Sequence, residues 1–350
     1  MEALIENWDG EAVVVRHDKE SGAWMFIAIH STRLGPAAGG TRMKSYPDVR
    51  AALRDALRLG EGMTYKFAAC GLPFGGAKAV IAIPDQLDPQ SRAPLLRRYG
   101  TLVRQLGGLF RTGPDVGTTP ADMDVIAATG APYILSRTAE TGGAGDPGPF
   151  TARGVFTGIE LVCERLFGEA SVRRRRILVQ GAGDVGGSLI RLLREAGAEV
   201  LFSEVDEALV RVFRDELGLR HVDPAAVYST ECDIFSPCAL GGVLNAQTIP
   251  QLRCRAIAGS ANNQLEKPED AESLRSRGIL YAPDYVISAG GVIAVLGLEL
   301  QRWTAEKAEG EVVTAVRRNL SRIFESADGR GIATEVAARR LAESRLHAGT

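Results

Sequence analysis

Apolar residues recur along the first part of the chain with periods that predict both strands and helices. Alternating positions predict strands at residues 12–17 and 23–30, joined by a turn-rich interval at 18–22. Helical spacing from Ala51 onward predicts a packed helix that ends at Lys66, and a second helix is predicted over residues 94–106. Lys78 then opens an apolar, strand-like run over residues 79–83.

The second part of the chain alternates short apolar strands with helical intervals. Helices are predicted over residues 151–167 and 188–196, and an amphipathic helix over 334–342 is expected to pack back across the domain junction or onto a partner subunit. Strand and helix in alternation predict an α/β fold with a doubly wound parallel sheet. The strand signals lie at residues 177–180, 198–203, 233–235, 256–258 and 280–282.

Glycine accumulates between residues 141 and 149, which indicates a boundary. We interpret this stretch as a hinge between domains, and a mobile loop within one domain is the alternative. The predicted domains are an N-terminal α/β domain over residues 1–140 and a second domain over 141–330. Residues 331–350 are expected to pack back on the first domain.

Composition excludes several classes of protein. The chain has 350 residues, 45% of them apolar, and 41 basic against 43 acidic residues, so neither global disorder nor attraction to nucleic acid or membranes is expected. Five scattered cysteines form no Cys-x-x-Cys pair, so we expect neither disulfides nor a metal. The N-terminus lacks the apolar core of a signal peptide, and no stretch is long enough for a membrane span, which indicates the cytoplasm.

Two lysines, Lys66 and Lys78, lie in a glycine-rich apolar stretch that contains no acidic residue between Gly62 and Lys78. A desolvated lysine beside a second cation can lose its proton more readily and act in proton transfer, while the other holds an anion. The alternative is that both extend to the surface from a buried hairpin. The missing acid could be Asp115, in the glycine- and proline-rich loop before a predicted helix, although a turn or capping role is the common one. Asp122 is predicted to be the capping acid.

The stretch after residue 176 carries a dinucleotide signature of the Rossmann type. A buried strand leads into Gly181-Ala182-Gly183-Asp184-Val185-Gly186 and a helix, and the next strand ends at Glu204. These glycines allow a tight turn, close approach of pyrophosphate and close helix packing. Glu204 is placed to bind ribose hydroxyls and to repel a 2′-phosphate, which favours NAD over NADP. Asp206 adds to that repulsion or is an exposed acid.

Three further loops, at residues 236–242, 259–264 and 283–292, follow strands of the same sheet, where ligands of open α/β sheets bind. We therefore expect contacts with a dinucleotide from these loops, from the glycine turn and from the helix that precedes it. The expected contact residues are Thr151, Gly181, Gly183, Asp184, Val185, Gly186, Glu204, Asp206, Ala239, Leu240, Ser260, Ala261 and Asn262.

From Gly35 to about Glu299 the chain resembles the amino acid dehydrogenases that act on glutamate, leucine, valine and phenylalanine, through GPAAGGTRM, MTYKFAACGLPFGGAK, PDVGTT, GAGDVGG, PCALGG, AGSANNQL and YAPDYVISAGGV. The resemblance implies oxidative deamination of an L-amino acid with NAD, giving a 2-oxo acid and ammonia, in a homo-oligomer. It assigns Lys66, with the backbone at Gly39 and Gly40, to the substrate carboxylate. It also assigns Lys78 to acid/base catalysis, Asp115 to proton transfer, and Asn262 to substrate and nicotinamide.

The resemblance also bears on the substrate. Ala38 stands where glutamate dehydrogenases carry a lysine and leucine dehydrogenases a leucine, which argues against glutamate and leaves room for a larger side chain. Met63, Val292 and Leu296 are candidates for the apolar wall, although core packing explains them equally well. We therefore expect phenylalanine as substrate, with branched-chain amino acids as the closest alternative. A catalytically silent NAD-binding protein is a further alternative, against which the joint presence of Lys66, Lys78, Asp115 and Asn262 speaks.

Overall fold

A computed structural model describes residues 2–348 of the chain, which form two compact units. The first comprises the residues up to Asp146, Leu298–Arg302 and the residues from Ala342 onward, and the second comprises Pro147–Gly297 and Trp303–Leu341. The division thus falls at Asp146 rather than after residue 140. The connecting segment stays with the first unit because the Glu299 carboxylate accepts hydrogen bonds from the amides of Ser136 (2.6 Å) and Ala144 (2.8 Å).

The first unit is a six-stranded mixed sheet with helices on both faces. Its strands run in the order β1-β2-β5-β3-β6, and β4 also pairs with β5. The elements are α1 (Glu2–Glu6), β1 (Ala12–Asp18), β2 (Ala23–Ser31), β3 (Ala37–Ala38), β4 (Thr41–Lys44), α2 (Val49–Cys70), β5 (Gly75–Ala82), α3 (Pro89–Gln105), β6 (Phe110–Arg111) and α4 (Pro120–Gly130).

Alternation along the central strand β5 decides which side chains face which helix layer. Ala77, Ala79 and Ile81 lie in a core with residues of α3 and α4, whereas Val80 lies in a separate core with residues of α2. Because neighbouring side chains on a strand point to opposite faces, Lys78 shares the face of Val80 and projects towards α2.

Two elements that carry the predicted lysines differ from the sequence expectation. The helix does not end at Lys66 but continues to Cys70, because Ala68 and Ala69 favour helix, and it is closed by Gly71 in a left-handed conformation (φ 70°). Strand β5 begins at Gly75 rather than at Lys78. Lys78 is therefore held in mid-strand, in an antiparallel pair with Ala28 of β2.

The second unit contains a six-stranded, wholly parallel sheet in the order β12-β11-β10-β7-β8-β9, which confirms the doubly wound prediction. The strands are β7 (Arg176–Gln180), β8 (Glu199–Ser203), β9 (Arg220–His221), β10 (Ile234–Pro237), β11 (Ala256–Ile257) and β12 (Leu280–Tyr281). The helices are α5 (Gly148–Phe167), α6 (Asp184–Glu195), α7 (Glu207–Arg211), α8 (Asp270–Ser276), α9 (Asp284–Ile287), α10 (Gly290–Leu300), α11 (Ala305–Arg330) and α12 (Thr334–Ala348), of which α10 and α12 end in the first unit.

Helices α3, α5 and α6 begin earlier than predicted. Helix α3 begins at Pro89 rather than at Pro94, since Asp88 caps it by accepting from the Gln90 amide. Helix α6 begins at Asp184 rather than at Ser188, because the third glycine of the motif lies inside the helix. The predicted capping role of Asp122 is confirmed: Thr119 and Asp122 form a reciprocal capping box at the start of α4. None of the helices in residues 2–348 is long and apolar enough to cross a membrane.

An ion pair between the partly exposed Arg98 and the buried Asp18 joins the β1–β2 hairpin to α3. Arg98 donates two hydrogen bonds of 2.7 Å to the Asp18 carboxylate, which is 4% exposed. The bond from Arg98, opposed by burial and supported by Ser21, lowers the pKa of Asp18 below its ordinary value. The stabilisation is therefore present at neutral pH and is lost as the pH falls through the lowered pKa.

We predict that Arg98→Gln lowers the free energy of unfolding at pH ~7 by about 1.5–3 kcal/mol, the range for a hydrogen bond to a charged group. The difference from the wild type should shrink only as the pH falls below the ordinary range of an aspartate and through the lowered pKa of Asp18, where the carboxyl becomes protonated. Urea unfolding at several pH values measures this difference in the free energy of unfolding. Arg214→Gln, which removes a half-exposed pair with Asp215, is the control and should change little; equal losses in both variants would contradict the prediction.

Candidate active site

Lys66 and Lys78 are both buried, with exposures of 8% and 6%. Lys66 lies on α2 and Lys78 on β5, and these two elements pack directly against each other, since a Cβ on Gly76 would stand only 2.0 Å from the Thr64 backbone nitrogen. The alternative in which both lysines reach the surface from a hairpin is therefore wrong. The segment connects a helix to a strand, and its glycine allows the helix to lie against the sheet.

Gly39 and Gly40 interrupt the strand beside β5. They separate β3 from β4, both of which pair with β5. A Cβ on Gly39 would overlap the Ala77 carbonyl oxygen at 1.7 Å, and a Cβ on Gly40 would lie 3.4 Å from the Lys78 ammonium. The backbone at this interruption therefore packs closely on β5, and it places a main-chain segment next to the Lys78 nitrogen.

The acid missing from the lysine segment is Asp115. Its Oδ2 lies 3.0 Å from Lys78 Nζ, and the two side chains are 14% and 7% exposed. Burial alone would raise the pKa of Asp115, but Lys78 and Arg42 outweigh it and hold the pKa below the ordinary value. The arrangement is an ionised carboxylate and an ammonium in contact, which can exchange a proton with a group bound beside them.

Sequence reasoning missed the residues behind this pair. Arg42 Nε donates to Asp115 Oδ2 (3.0 Å), and Arg42 Nη1 donates to Asp55 Oδ2 (2.9 Å). Tyr46 also donates its hydroxyl hydrogen to Asp55 Oδ2, at 2.8 Å. A signal was present, because Arg42 follows the paired glycines by two residues and α2 carries Asp55 on the turn before Leu59.

Ala38 and Met63, predicted for the substrate wall, both lie near the glycine interruption. Ala38 is a buried residue of β3, directly before Gly39. Met63 Cγ lies 3.4 Å from the position that a Cβ on Gly39 would take, and Met63 precedes Lys66 by almost one helical turn. Apolar surface therefore lies close to Gly39 in the same unit as the two lysines.

The glycine turn of the second unit has the geometry that a pyrophosphate requires. Gly181 adopts a φ of 93°, and a Cβ on it would lie 2.8 Å from the Ala239 Cβ. A Cβ on Gly186 would lie 2.0 Å from the Gly181 carbonyl oxygen, so this glycine allows the helix to pack on the turn. Gly183 caps α6 without a side-chain bond, and the space around its Cα is open. The open N-terminus of α6 fits an anionic group.

Glu204 lies at the end of β8 and is tied to the glycine turn. Its Oε2 accepts from the Ala182 amide at 2.7 Å, and its Oε1 accepts from the amides of Val205 (2.7 Å) and Asp206 (3.0 Å). A carboxylate has about four acceptor sites, so one remains for a ribose hydroxyl. Asp206 instead caps α7, where its side chain accepts from Ala208 and Leu209.

The remaining predicted contacts of the second unit lie on loops and helix starts of its sheet. Leu240, beside Ala239, is 73% exposed, whereas Ser260 and Ala261 are buried and Asn262 is exposed. Asp184 and Val185 form the first turn of α6, and the Asp184 carboxylate lies against Gly148. Thr151 Oγ1 lies 2.5 Å from the position of a Cβ on Gly291. Val292 and Leu296 lie one turn apart on α10, half-buried and buried.

Within residues 2–348, no three histidine, cysteine, aspartate or glutamate side chains gather as a metal site. All five cysteines carry free thiols. Burial raises the pKa of Cys163 to about 12, so that thiol is a poor nucleophile.

The doubly wound sheet with its glycine turn and the buried lysine–aspartate contact are together typical of a dinucleotide-dependent enzyme. Family models agree with this class. Residues 12–131 match the Glu/Leu/Phe/Val dehydrogenase dimerisation domain, and residues 202–349 match the Glutamate/Leucine/Phenylalanine/Valine dehydrogenase model.

Relatives cover almost the whole chain. Leucine dehydrogenase from Geobacillus stearothermophilus is 45% identical over 98% of this chain and 92% of its own length, and L-tryptophan dehydrogenase from Nostoc punctiforme is 43% identical over 96% and 93%. Valine dehydrogenase from Streptomyces albus is 42% identical over 96% and 92%. The crystal structure of the Nostoc punctiforme enzyme has a TM-score of 0.79, covering 100% of this chain and 99% of that one at 40% identity.

The chain therefore belongs to the Glu/Leu/Phe/Val dehydrogenase family, and its class of activity is amino acid dehydrogenation. The family and the Rossmann-type sheet together identify NAD as the cofactor. The glycine turn, the open N-terminus of α6 and the Glu204 carboxylate have the geometry that would hold it.

We predict that Gly40→Ala lowers kcat by about 10²-fold, as a displacement of about 1 Å of reacting groups can do. The added methyl would stand 2.8 Å from the Pro114 oxygen and 2.9 Å from the Asp115 Cβ, so the carboxylate must shift. NADH affinity, measured by fluorescence titration, should be unchanged. Gly310→Ala on α11, where a Cβ meets nothing within 4 Å, is the control. Full activity of Gly40→Ala would contradict the assignment of this site.

Proposed function

We propose that the protein catalyses the reversible, NAD-dependent oxidative deamination of an L-amino acid with an apolar side chain, and that leucine and other branched-chain amino acids are its preferred substrates. The observation that carries the proposal is the buried contact of 3.0 Å between Lys78 and Asp115, with the Gly40 backbone beside it. A catalytically silent NAD-binding protein would have no need to keep this charged pair buried.

Lys66 is proposed to bind the substrate carboxylate. It is buried on the face of α2 that packs against β5, three residues after Met63, which flanks Gly39. An ammonium in such surroundings offers strong charge-assisted hydrogen bonds to an anion. The amides of Gly39 and Thr41 already donate to the carbonyls of Arg111 (3.1 Å) and Gly113 (2.9 Å), so the Gly40 amide is the proposed further donor at this interruption.

Lys78 and Asp115 are proposed to move the protons. NAD supplies the acceptor for the hydride that leaves the substrate Cα. Lys78 would first pass its proton to Asp115, so that its neutral amine can take a proton from the water that adds to the resulting iminium carbon, and Asp115 would then pass the proton it received to the leaving nitrogen. The products are a 2-oxo acid and ammonia, and the oxygen of the oxo acid comes from water. Asn262 is proposed to contact the substrate and the nicotinamide.

The proposed substrate class rests on the apolar surface at Ala38 and Met63 and on the names of the related dehydrogenases. Ala38 and Met63 bring apolar surface and no charge to the glycine interruption, which disfavours a substrate with a side-chain carboxylate. Relatives named leucine and valine dehydrogenase support branched-chain amino acids ahead of phenylalanine, the substrate expected from Ala38 alone. Aromatic amino acids are the second candidate, because relatives named L-tryptophan dehydrogenase match nearly as well.

Self-association is also proposed. The model matched by residues 12–131 describes a dimerisation domain, and the solved hetero-hexameric glutamate dehydrogenase from Thermus thermophilus, in its Leu-bound form, has a TM-score of 0.81 at 25% identity, covering 97% of this chain and 88% of that one. We infer a homo-oligomer, whose mass sedimentation velocity would measure.

We predict that kcat/KM with NAD, followed at 340 nm, decreases from leucine and valine to phenylalanine and then to glutamate. Ala38→Leu should reduce kcat/KM for phenylalanine and tryptophan by about 10–200-fold more than that for valine. The reason is that the added carbons of the leucine side chain occupy space that an aromatic substrate needs. A wild-type preference for phenylalanine would restore the first expectation. An unchanged ranking in Ala38→Leu would remove Ala38 from the wall.

We predict that Asp115→Asn and Lys78→Met each lower kcat by about 10²–10⁴-fold, the usual contribution of a general acid or base. Binding of NADH should persist in both, because the residues proposed to contact the dinucleotide belong to the second unit, whereas Lys78 and Asp115 belong to the first. The measurement is steady-state turnover beside NADH fluorescence titration. Wild-type protein that binds NADH but turns over none of twenty amino acids would favour the silent alternative.

A further inference from the structure

We propose that Arg42 is a positioning residue for Asp115 and that Arg42 and Asp55 together set the pH range in which the Lys78–Asp115 pair works. This inference rests on the proposed function. Neither Arg42 nor Asp55 needs to touch the substrate in this role. They act through Asp115, which Arg42 contacts directly.

The four charges form one row of alternating sign. Asp55 contacts Arg42 at 2.9 Å, Arg42 contacts Asp115 at 3.0 Å, and Asp115 contacts Lys78 at 3.0 Å. None of the four side chains is more than 14% exposed. Because water is largely excluded, each charge acts on its neighbours more strongly than it would on the surface.

The backbone explains why Arg42 can reach both acids. Strand β4 runs parallel to β5 with Arg42 opposite Val80 and Met43 opposite Ile81. Met43 and Ile81 lie in the core with α3 and α4, so Arg42 points to the other face, where α2 carries Asp55. A guanidinium can bridge two carboxylates at fixed angles, which a lysine cannot do.

Both cations contact the same oxygen of Asp115. Lys78 Nζ and Arg42 Nε each lie 3.0 Å from Oδ2, and among residues 2–348 no hydrogen bond to Oδ1 is found. The carboxylate is thus oriented with Oδ1 left to exchange a proton. Loss of Arg42 would leave Asp115 held by Lys78 alone and able to rotate.

Other charged groups complete the surroundings. Asp115 faces Lys78 from β5 and Arg42 from β4. Asp55 faces Arg42, accepts from Tyr46, and contacts Arg58 at 3.3 Å, while the Lys44 ammonium lies over the Tyr46 ring at 4.6 Å.

The charge states follow from these contacts. Burial opposes the charge on Arg42, but Asp115 and Asp55 raise its pKa above the ordinary value, so it stays protonated. Burial and the bond to Asp55 raise the pKa of Tyr46, so its hydroxyl remains a donor. Arg42 is therefore a permanent cation beside the pair.

Removing a nearby cation raises the pKa of any neighbouring acid, and removing a nearby anion lowers it. We therefore expect Arg42→Gln to move the acid limb of the kcat/KM–pH profile to higher pH, and Asp55→Asn to move it to lower pH. The direction of each shift is the same whether the acid limb reflects the titration of Lys78 or that of Asp115, because the two groups are coupled. A purely structural role would give no such opposite movement.

The experiment measures kcat/KM for leucine with NAD between pH ~6 and ~11 in wild type, Arg42→Gln, Arg42→Lys and Asp55→Asn. Arg42→Gln should also lose about 10²-fold in kcat through misplacement of Asp115, and Arg42→Lys, which keeps the cation, should return the limb towards its wild-type position. Arg98→Gln, which breaks the ion pair with the buried Asp18 in the same unit, should leave the limb in place.

Circular dichroism and thermal unfolding establish which variants are folded. If Arg42→Gln does not fold, Arg42→Lys and Asp55→Asn still test the inference. Asp55→Asn by itself must move the acid limb of the kcat/KM–pH profile to lower pH. Limbs that stay in place, or that move in the same direction in Arg42→Gln and Asp55→Asn, would overturn it. If the wild type turns over leucine but the variants show no shift of the acid limb, only this inference is rejected. If the wild type does not turn over any amino acid, the proposed function is rejected as well.

Discussion

The contact between the Lys78 ammonium and the Asp115 carboxylate is the interaction on which the first unit depends. Either charge alone would be costly at this depth, and the attraction between them is what allows both to be buried. The strand that carries Lys78 is fixed between β2 and β4, so the ammonium cannot withdraw to water. Asp115 lies on a loop that must come to it, and Arg42 holds that loop residue from the other side.

Close backbone packing makes this contact possible. Gly76 lets α2 lie directly on β5, and Gly40 leaves space at the ammonium where any side chain would intrude. In the second unit the same physical device serves a different purpose, because Gly186 lets α6 approach the turn at Gly181. Each unit therefore uses glycine to bring polar groups to a place that a side chain would otherwise fill.

The candidate site residues are distributed over the two units. The first holds the lysines, the aspartate and apolar surface at Ala38 and Met63, and the second holds the glycine turn and Glu204. Small differences in the apolar wall separate substrates by only ~1–3 kcal/mol. For that reason relatives named for leucine, valine and tryptophan can share more than 40% of their residues with this chain and still differ in name.

The sequence by itself determined the parallel sheet of the second unit, its glycine turn, the acid at Glu204 and the unusual lysine segment, because each depends on local periodicity or on residues adjacent in the chain. It did not determine the extents of helices such as α2 and α6, whose ends depend on caps and on packing. Only the tertiary structure showed that Arg42 bridges Asp115 to Asp55. Those three residues come from a strand, a loop and a helix, and their charges are brought together by the face on which β4 presents Arg42, which no local spacing reveals.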